Sequence, residues 1–193
     1  IMKHFLYVFL FLISFNNYAQ GSEYELEVKG AVLTKKDGTQ IAIEDGFMEI
    51  SYLSFKVHFR DSNDKKKAVT ITDIDNIKTS EYFFKTFKLE RRENIYLVLA
   101  DSNDKKMVTR KGRFSQDLGY EIFIVDSNGA IIDALKSHGG PFVKGYVHRS
   151  FIAPFIKKYF PDCQELIDRI PNTITDKVDG YPLLDHPIYV KCN

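Results

Sequence analysis

The run IYLVLA at residues 95–100 constrains this chain more than any other segment. Successive side chains of a β-strand point to opposite faces, so six consecutive apolar residues leave neither face suited to water. Such a strand belongs in the centre of a sheet, and the flanking sequence supplies its neighbours. Tyr24, Leu26 and Val28 alternate with Glu25, Glu27 and Lys29, the signature of a half-buried strand. Leu53, Phe55, Val57 and Phe59 alternate with Ser54, Lys56, His58 and Arg60, the clearest period-2 run in the chain. Asp37-Gly38 is a hairpin signal, and residues 39–43 form its return strand. Residues 68–74, 82–89, 107–110, 121–125 and 130–135 complete the strand candidates. Polar turns begin at Asp61, Asp101 and Asp126.

The chemistry changes near residue 150. Ser150 is a helix-capping residue, and Pro154 falls within the first turn, where no intrahelical N–H bond is lost. Ile152, Phe155, Ile156 and Tyr159 share one face at helical spacing, and Pro161 ends the segment. Asp162 and Glu165 then have the spacing of a capping box, with Cys163, Leu166, Ile167 and Ile170 on the apolar face and Pro171 as the stop. The expected fold is therefore mainly β (α+β): an antiparallel sandwich or open barrel followed by two short C-terminal helices. A 193-residue chain accommodates one such domain. Its 16 Phe and 11 Tyr provide ample core and exclude a disordered chain.

Residues 1–20 read as a leader rather than as fold. Lys3 and His4 precede an apolar run at 5–15, and a polar stretch ends near Ala19. That is the layout of a secretory signal peptide, too short to span a bilayer, with cleavage between Ala19 and Gly21. The domain is then 21–193: a β-rich body at 21–149, a helix pair at 150–171 and a tail at 172–193. The expected location is secreted or periplasmic. The whole chain has 27 basic and 26 acidic residues, and the leader carries one lysine and no acid. The charge balance after cleavage is therefore even, which argues against nucleic acid as a partner, since counterion release needs an excess of cations. The partner is expected to be a protein or a small ligand, and no second apolar run spans a membrane as a helix.

Both cysteines, Cys163 and Cys192, follow the leader, and an even count in an oxidising compartment favours a disulfide. It would close a ring of about 30 residues, worth roughly 3–4 kcal/mol by chain entropy. The alternative is a buried free thiol. Other constellations are weak. The repeated Asp-Ser-Asn-Asp-Lys-Lys at 61–66 and 101–106 invites a calcium reading, but Lys65 and Lys105 stand at loop position 5, where an oxygen ligand is needed, so turns are expected. His58, His138, His148 and His186 show no metal-ligand spacing, and no metal or other cofactor is expected. The loop Ser137-His138-Gly139-Gly140-Pro141 lacks the elbow of a serine hydrolase. Cys163 lies near a helix N-terminus and could pair with His148 as a nucleophile site; a hydrolase-like enzyme using Cys163 or scattered Asp and His residues is the alternative.

Several segments taken together resemble a known group. These are KGAVLTKKDGTQIAI (29–43), LSFKVHF and VTITDIDNI (within 53–77), EYFFKTFKLERRENIYLVLA (81–100), YEIFIVDSNGAIIDAL (120–135) and FIAPFIKKYFPDCQELIDRI (151–170). The chain resembles uncharacterised secreted proteins of Bacteroidota, which carry a KKYF-x-DC-x-EL helix pair after a β-rich body. The likeness covers about residues 29–170 and is specific in 156–167. The tail departs from it, because a Tyr-Asn-containing helix often closes those chains. The resemblance implies export and a Gram-negative envelope, and it brings no activity, cofactor or site residues. The function expected is that of a non-catalytic secreted or envelope protein binding through a sheet face or loops.

Overall fold

The computed structural model describes residues 24–111, 120–136, 149–173 and 189–192. The leader, the 137–141 loop, His138, His148, His186 and most of the tail lie outside the described residues. Thirteen strands and two helices follow in order: β1 Tyr24–Val28, β2 Ala31–Lys35, β3 Gln40–Ile43, β4 Gly46–Ser51, β5 Lys56–Arg60, β6 Lys66–Thr70, β7 Ile74–Lys78, β8 Phe83–Leu89, β9 Arg92–Asp101, β10 Lys105–Lys111, β11 Tyr120–Asp126, β12 Ile131–Lys136, α1 Arg149–Tyr159, α2 Gln164–Thr173 and β13 Val190–Lys191.

The strands form two sheets. The smaller has the order β1-β4-β5-β6, and the larger runs β12-β11-β10-β9-β8-β7-β2-β3, with β13 also paired to β9. Every strand pair is antiparallel except β13 with β9. The end strands of the larger sheet, β12 and β3, do not pair with each other, so the architecture is an open sandwich rather than a closed barrel. One antiparallel bridge, Ile43 to Asp61, stitches the corner where the two sheets meet.

The 95–100 run occupies β9, with β8 along one side and β10 along the other. Ile95, Leu97 and Leu99 enter the main core, with Met48, Ile50 and Val57 of the smaller sheet, Ile156 and Leu166 of the helices, and Phe160 just after α1. Tyr96 and Val98 enter a second cluster on the opposite face, with Phe87, Leu89, Val108, Phe123 and Val125. Burying an aliphatic or aromatic side chain of this size contributes about 1.5–3 kcal/mol. Burial pushes the Tyr96 hydroxyl up to about 12, and its ring faces the Arg110 guanidinium at 5.6 Å. Arg110 in turn pairs with Glu121 at 2.7 Å. The second cluster is thus apolar at its centre and ion-paired along one border.

Local details depart from expectation at four places. The alternation over 53–60 begins only at Lys56: Leu53 is 61% exposed, and Phe55 has a φ of 53° in the turn between β4 and β5. The 68–74 strand is two strands in different sheets, split by a 3-10 turn at Ile71–Asp73. Ile71 is fully buried there, and its N–H donates to the Phe55 carbonyl at 2.9 Å, which anchors the crossing. At α2, Asp162 and Glu165 form no capping box. The Ile167 N–H donates to the Cys163 carbonyl, which makes Cys163 the N-cap, and Glu165 instead bonds Arg169 at 2.5 Å. Helix α2 also continues past Pro171, the expected stop, to Thr173. Helix α1 likewise begins at Arg149, one residue before the expected cap.

Edge strand β12 exposes Ile131 and Ile132, a pattern that invites unwanted strand pairing. Asp133 blunts it. Its carboxylate accepts from the Ala134 N–H at 2.8 Å, from Lys158 Nζ at 3.0 Å and from the Tyr159 hydroxyl, tying α1 to the edge. The Tyr159 hydroxyl above all, with Lys158 and the Ala134 N–H, holds the Asp133 carboxyl down to about 2. A depressed acid stabilises the fold above its unfolded pKa, and that contribution disappears as pH falls through the folded value. The stability difference between wild type and Asp133→Asn should therefore be constant above pH 3.8 and shrink between there and about 2. Urea unfolding at a series of pH values measures it, and a difference that stays constant across that window would count against the clip.

Candidate functional site

Strand β9 has two sides, and β10 occupies one of them at Ala100 and Asp101. Strand β13 pairs with the same two residues and so lies on the β8 side, beyond the point where β8 begins. The first residues of β8 and β13 therefore lie close together alongside β9, and the two strands run away from each other. A cleft of ≈ 390 Å³ opens at this divergence, lined by Lys78, Thr79, Ser80, Glu81, Tyr82, Phe83, Arg169 and Tyr189.

Three separate segments build it. The first is the β7–β8 hairpin, whose register sets Lys78 directly opposite Phe83, so both side chains point to one face. Thr79 holds the turn: its buried Oγ1 accepts from the Glu81 N–H at 3.1 Å and the Tyr82 N–H at 2.8 Å. The Ser80 N–H donates to the Lys29 carbonyl at 3.1 Å and fastens the turn to the β1–β2 connection. The second segment is α2, which contributes Arg169. The third is the start of β13, where the Tyr189 ring meets the Phe83 ring edge-on, with centroids 5.2 Å apart at 63°. Burial, and then the charge of Asp101, raise the Tyr189 hydroxyl above its ordinary value.

The second and third segments are joined covalently. Cys163 and Cys192 are at disulfide distance, with Cα atoms 5.4 Å apart. Both cysteines belong to the main core, as does Val190 between Tyr189 and Cys192. The Cys192 N–H also donates to the Asp101 carbonyl at 2.7 Å. The end of the tail is therefore held by strand pairing and burial as well as by sulfur.

The residues singled out by sequence do not gather around this cleft. Sulfur bonded to sulfur has no thiolate to offer, so Cys163 is withheld from nucleophilic chemistry. His58 faces the solvent side of the smaller sheet, opposite in direction to the buried Val57 and Phe59, with Ser54 Oγ 3.5 Å from Nε2. The Asp turns are held from within: Asp61 Oδ1 accepts from the Asn63 and Lys65 N–H groups, and Asp126 Oδ1 from those of Asn128 and Ala130. Hydrogen bonding by the Lys65 N–H is the main reason the Asp61 carboxyl sits below its usual range. At the third turn, Ser102 Oγ donates to Asp104 and accepts from the Lys105 N–H. Among the described residues no cluster of three His, Cys, Asp or Glu side chains could hold a metal ion, and no helix is long and apolar enough to cross a membrane.

None of the cleft residues was evident from sequence. Lys78 and Tyr189 are more than a hundred positions apart, and no motif links them. The one local hint is Thr79-Ser80, a turn-forming pair between two strand candidates. Comparison with known proteins found no matching family model, no similar curated protein and no similar solved structure.

Replacing both cysteines by serine should destabilise the protein by about 2–4 kcal/mol if it unfolds as one unit. Urea denaturation measures this. A loss below about 0.5 kcal/mol would mean that strand pairing alone secures the C-terminus.

Proposed function

We propose that this protein is exported through a cleaved leader to the periplasm or the cell exterior, and that it binds a small ligand there without catalysing a reaction. The cleft carries the reading: it is the place where separate segments converge charged, hydroxyl and aromatic side chains on one concavity. Its volume falls at the small end of the range usual for ligand sites, and its lining combines the charged and hydroxyl side chains of Lys78, Glu81, Arg169, Thr79 and Ser80 with the rings of Tyr82, Phe83 and Tyr189, groups that can orient a ligand. The disulfide and the even charge balance fit an oxidising compartment and a partner other than nucleic acid. The β-rich body with its KKYF-x-DC-x-EL helix pair supports the same placement, by resemblance to secreted Bacteroidota proteins.

Two measurements test this. Mass spectrometry of the exported protein should find an N-terminus at Gln20 or Gly21; a product retaining Met2 would defeat the export reading. A thermal-shift screen of small polar and amphipathic compounds should yield ligands that raise Tm, because binding to the native state stabilises it by mass action. Their amide shift changes in NMR should centre on residues 78–83 and Tyr189. Ligands that map only to the outer sheet faces would overturn the cleft assignment.

A further inference from the structure

The lining of the cleft carries charges of both signs, and their pattern specifies a ligand more closely than its volume does. Lys78 and Glu81 stand at the two ends of one tight turn, both exposed. Neither makes a salt bridge within 4.0 Å among the described residues. Arg169 is different, since Glu165 already bonds its guanidinium at 2.5 Å and offsets its charge. The third component is the apolar wall made by Phe83 against Tyr189. A site of this kind presents one ammonium, one carboxylate and an aromatic surface within a single small concavity.

We propose that the cleft takes a free α-amino acid with an aromatic side chain, its carboxylate toward Lys78, its ammonium toward Glu81 and its ring against Phe83 and Tyr189. The inference rests on the cleft being a ligand site, and it adds the ligand's chemical class. A simple anion would satisfy Lys78 and be repelled by Glu81, and a simple cation would meet the reverse problem. A zwitterion offers each charge its counterpart and is neutral overall, like the Lys78–Glu81 pair. The aromatic ring gains an edge-to-face partner and leaves water. Exposed ion pairs contribute little each, so affinity should be modest and each pole should change it about 5-fold.

The test is an NMR titration of the intact disulfide-bonded protein with four probes: L-phenylalanine, 3-phenylpropionate, phenethylamine and glycine. Phenylalanine should shift the amides of residues 78–83 and Tyr189 and bind about 5-fold or more tightly than each of the other three. Lys78→Met should reduce its affinity to that of phenethylamine, and Glu81→Gln to that of 3-phenylpropionate. Both substitutions lie on exposed side chains, and an unchanged Tm without ligand confirms that the variants are folded. Equal binding of phenylalanine and either truncated analogue would overturn the zwitterion assignment. So would a cleft that responds to another screened compound, a neutral sugar for example, but not to phenylalanine; that outcome would leave the binding function itself intact. Cleft amides that respond to no compound at all would defeat both.

Discussion

Strand β9 needs apolar cover on both of its faces, and most of the architecture serves that need. From Ile95 to Leu99 its side chains alternate between two clusters, and each is closed by different elements. The smaller sheet and the two helices complete the core on one side. On the other side, the aromatic rings of Phe87, Tyr96 and Phe123 pack edge to face with centroids about 6 Å apart. A strand of this composition left open on either face would expose a row of large apolar side chains, the pattern that drives aggregation. The order of the larger sheet, with β9 fourth from one end, places the most apolar strand away from both edges.

The C-terminus finishes the same job and in doing so creates the cleft. Strand β8 stops short of the end of β9, which leaves the last residues of β9 without a partner on that side. β13 fills the gap with two residues, in the only parallel pairing among the described strands. Two strands that start side by side and run apart cannot close the space between their first residues. The hairpin turn, Arg169 and Tyr189 surround that space. The disulfide ties α2 to β13, so the two later walls of the cleft share one covalent anchor.

Polar side chains in this protein mostly do local work. Asp61, Asp126 and Ser102 hold their turns through backbone N–H groups. Gly129 follows in the last of these turns with a φ of 83°, a conformation that side chains other than glycine adopt only with strain. Asp133 protects an edge. These roles account for the recurring Asp-Ser-Asn motifs as turn formers, because a side-chain oxygen in each already accepts from backbone N–H groups of its own turn.

The sequence by itself determined the class of structure. Period-2 alternation, the doubly apolar run and the Asp-centred turns made an antiparallel β body legible, and the helical spacing of Ile152, Phe155, Ile156 and Tyr159, and then of Cys163, Leu166, Ile167 and Ile170, made the helical end legible. Local signals suffice there because strand alternation and turn formation depend on neighbouring residues. They failed where a choice depended on distant residues. Whether residues 68–74 are one strand or two depended on Ile71 reaching a buried position between sheets. Strand β4 escaped notice because Gly46–Ser51 gains its pattern only from the partners on either side, β1 and β5. Whether the body closed as a barrel or stayed an open sandwich followed from how the smaller sheet packs. The cleft is the extreme case. Its walls come from a hairpin, a helix and β13, and although the cysteine count already joined Cys163 to Cys192, only the tertiary structure brings the three walls together, because the register on β9 is a long-range contact that no local pattern encodes.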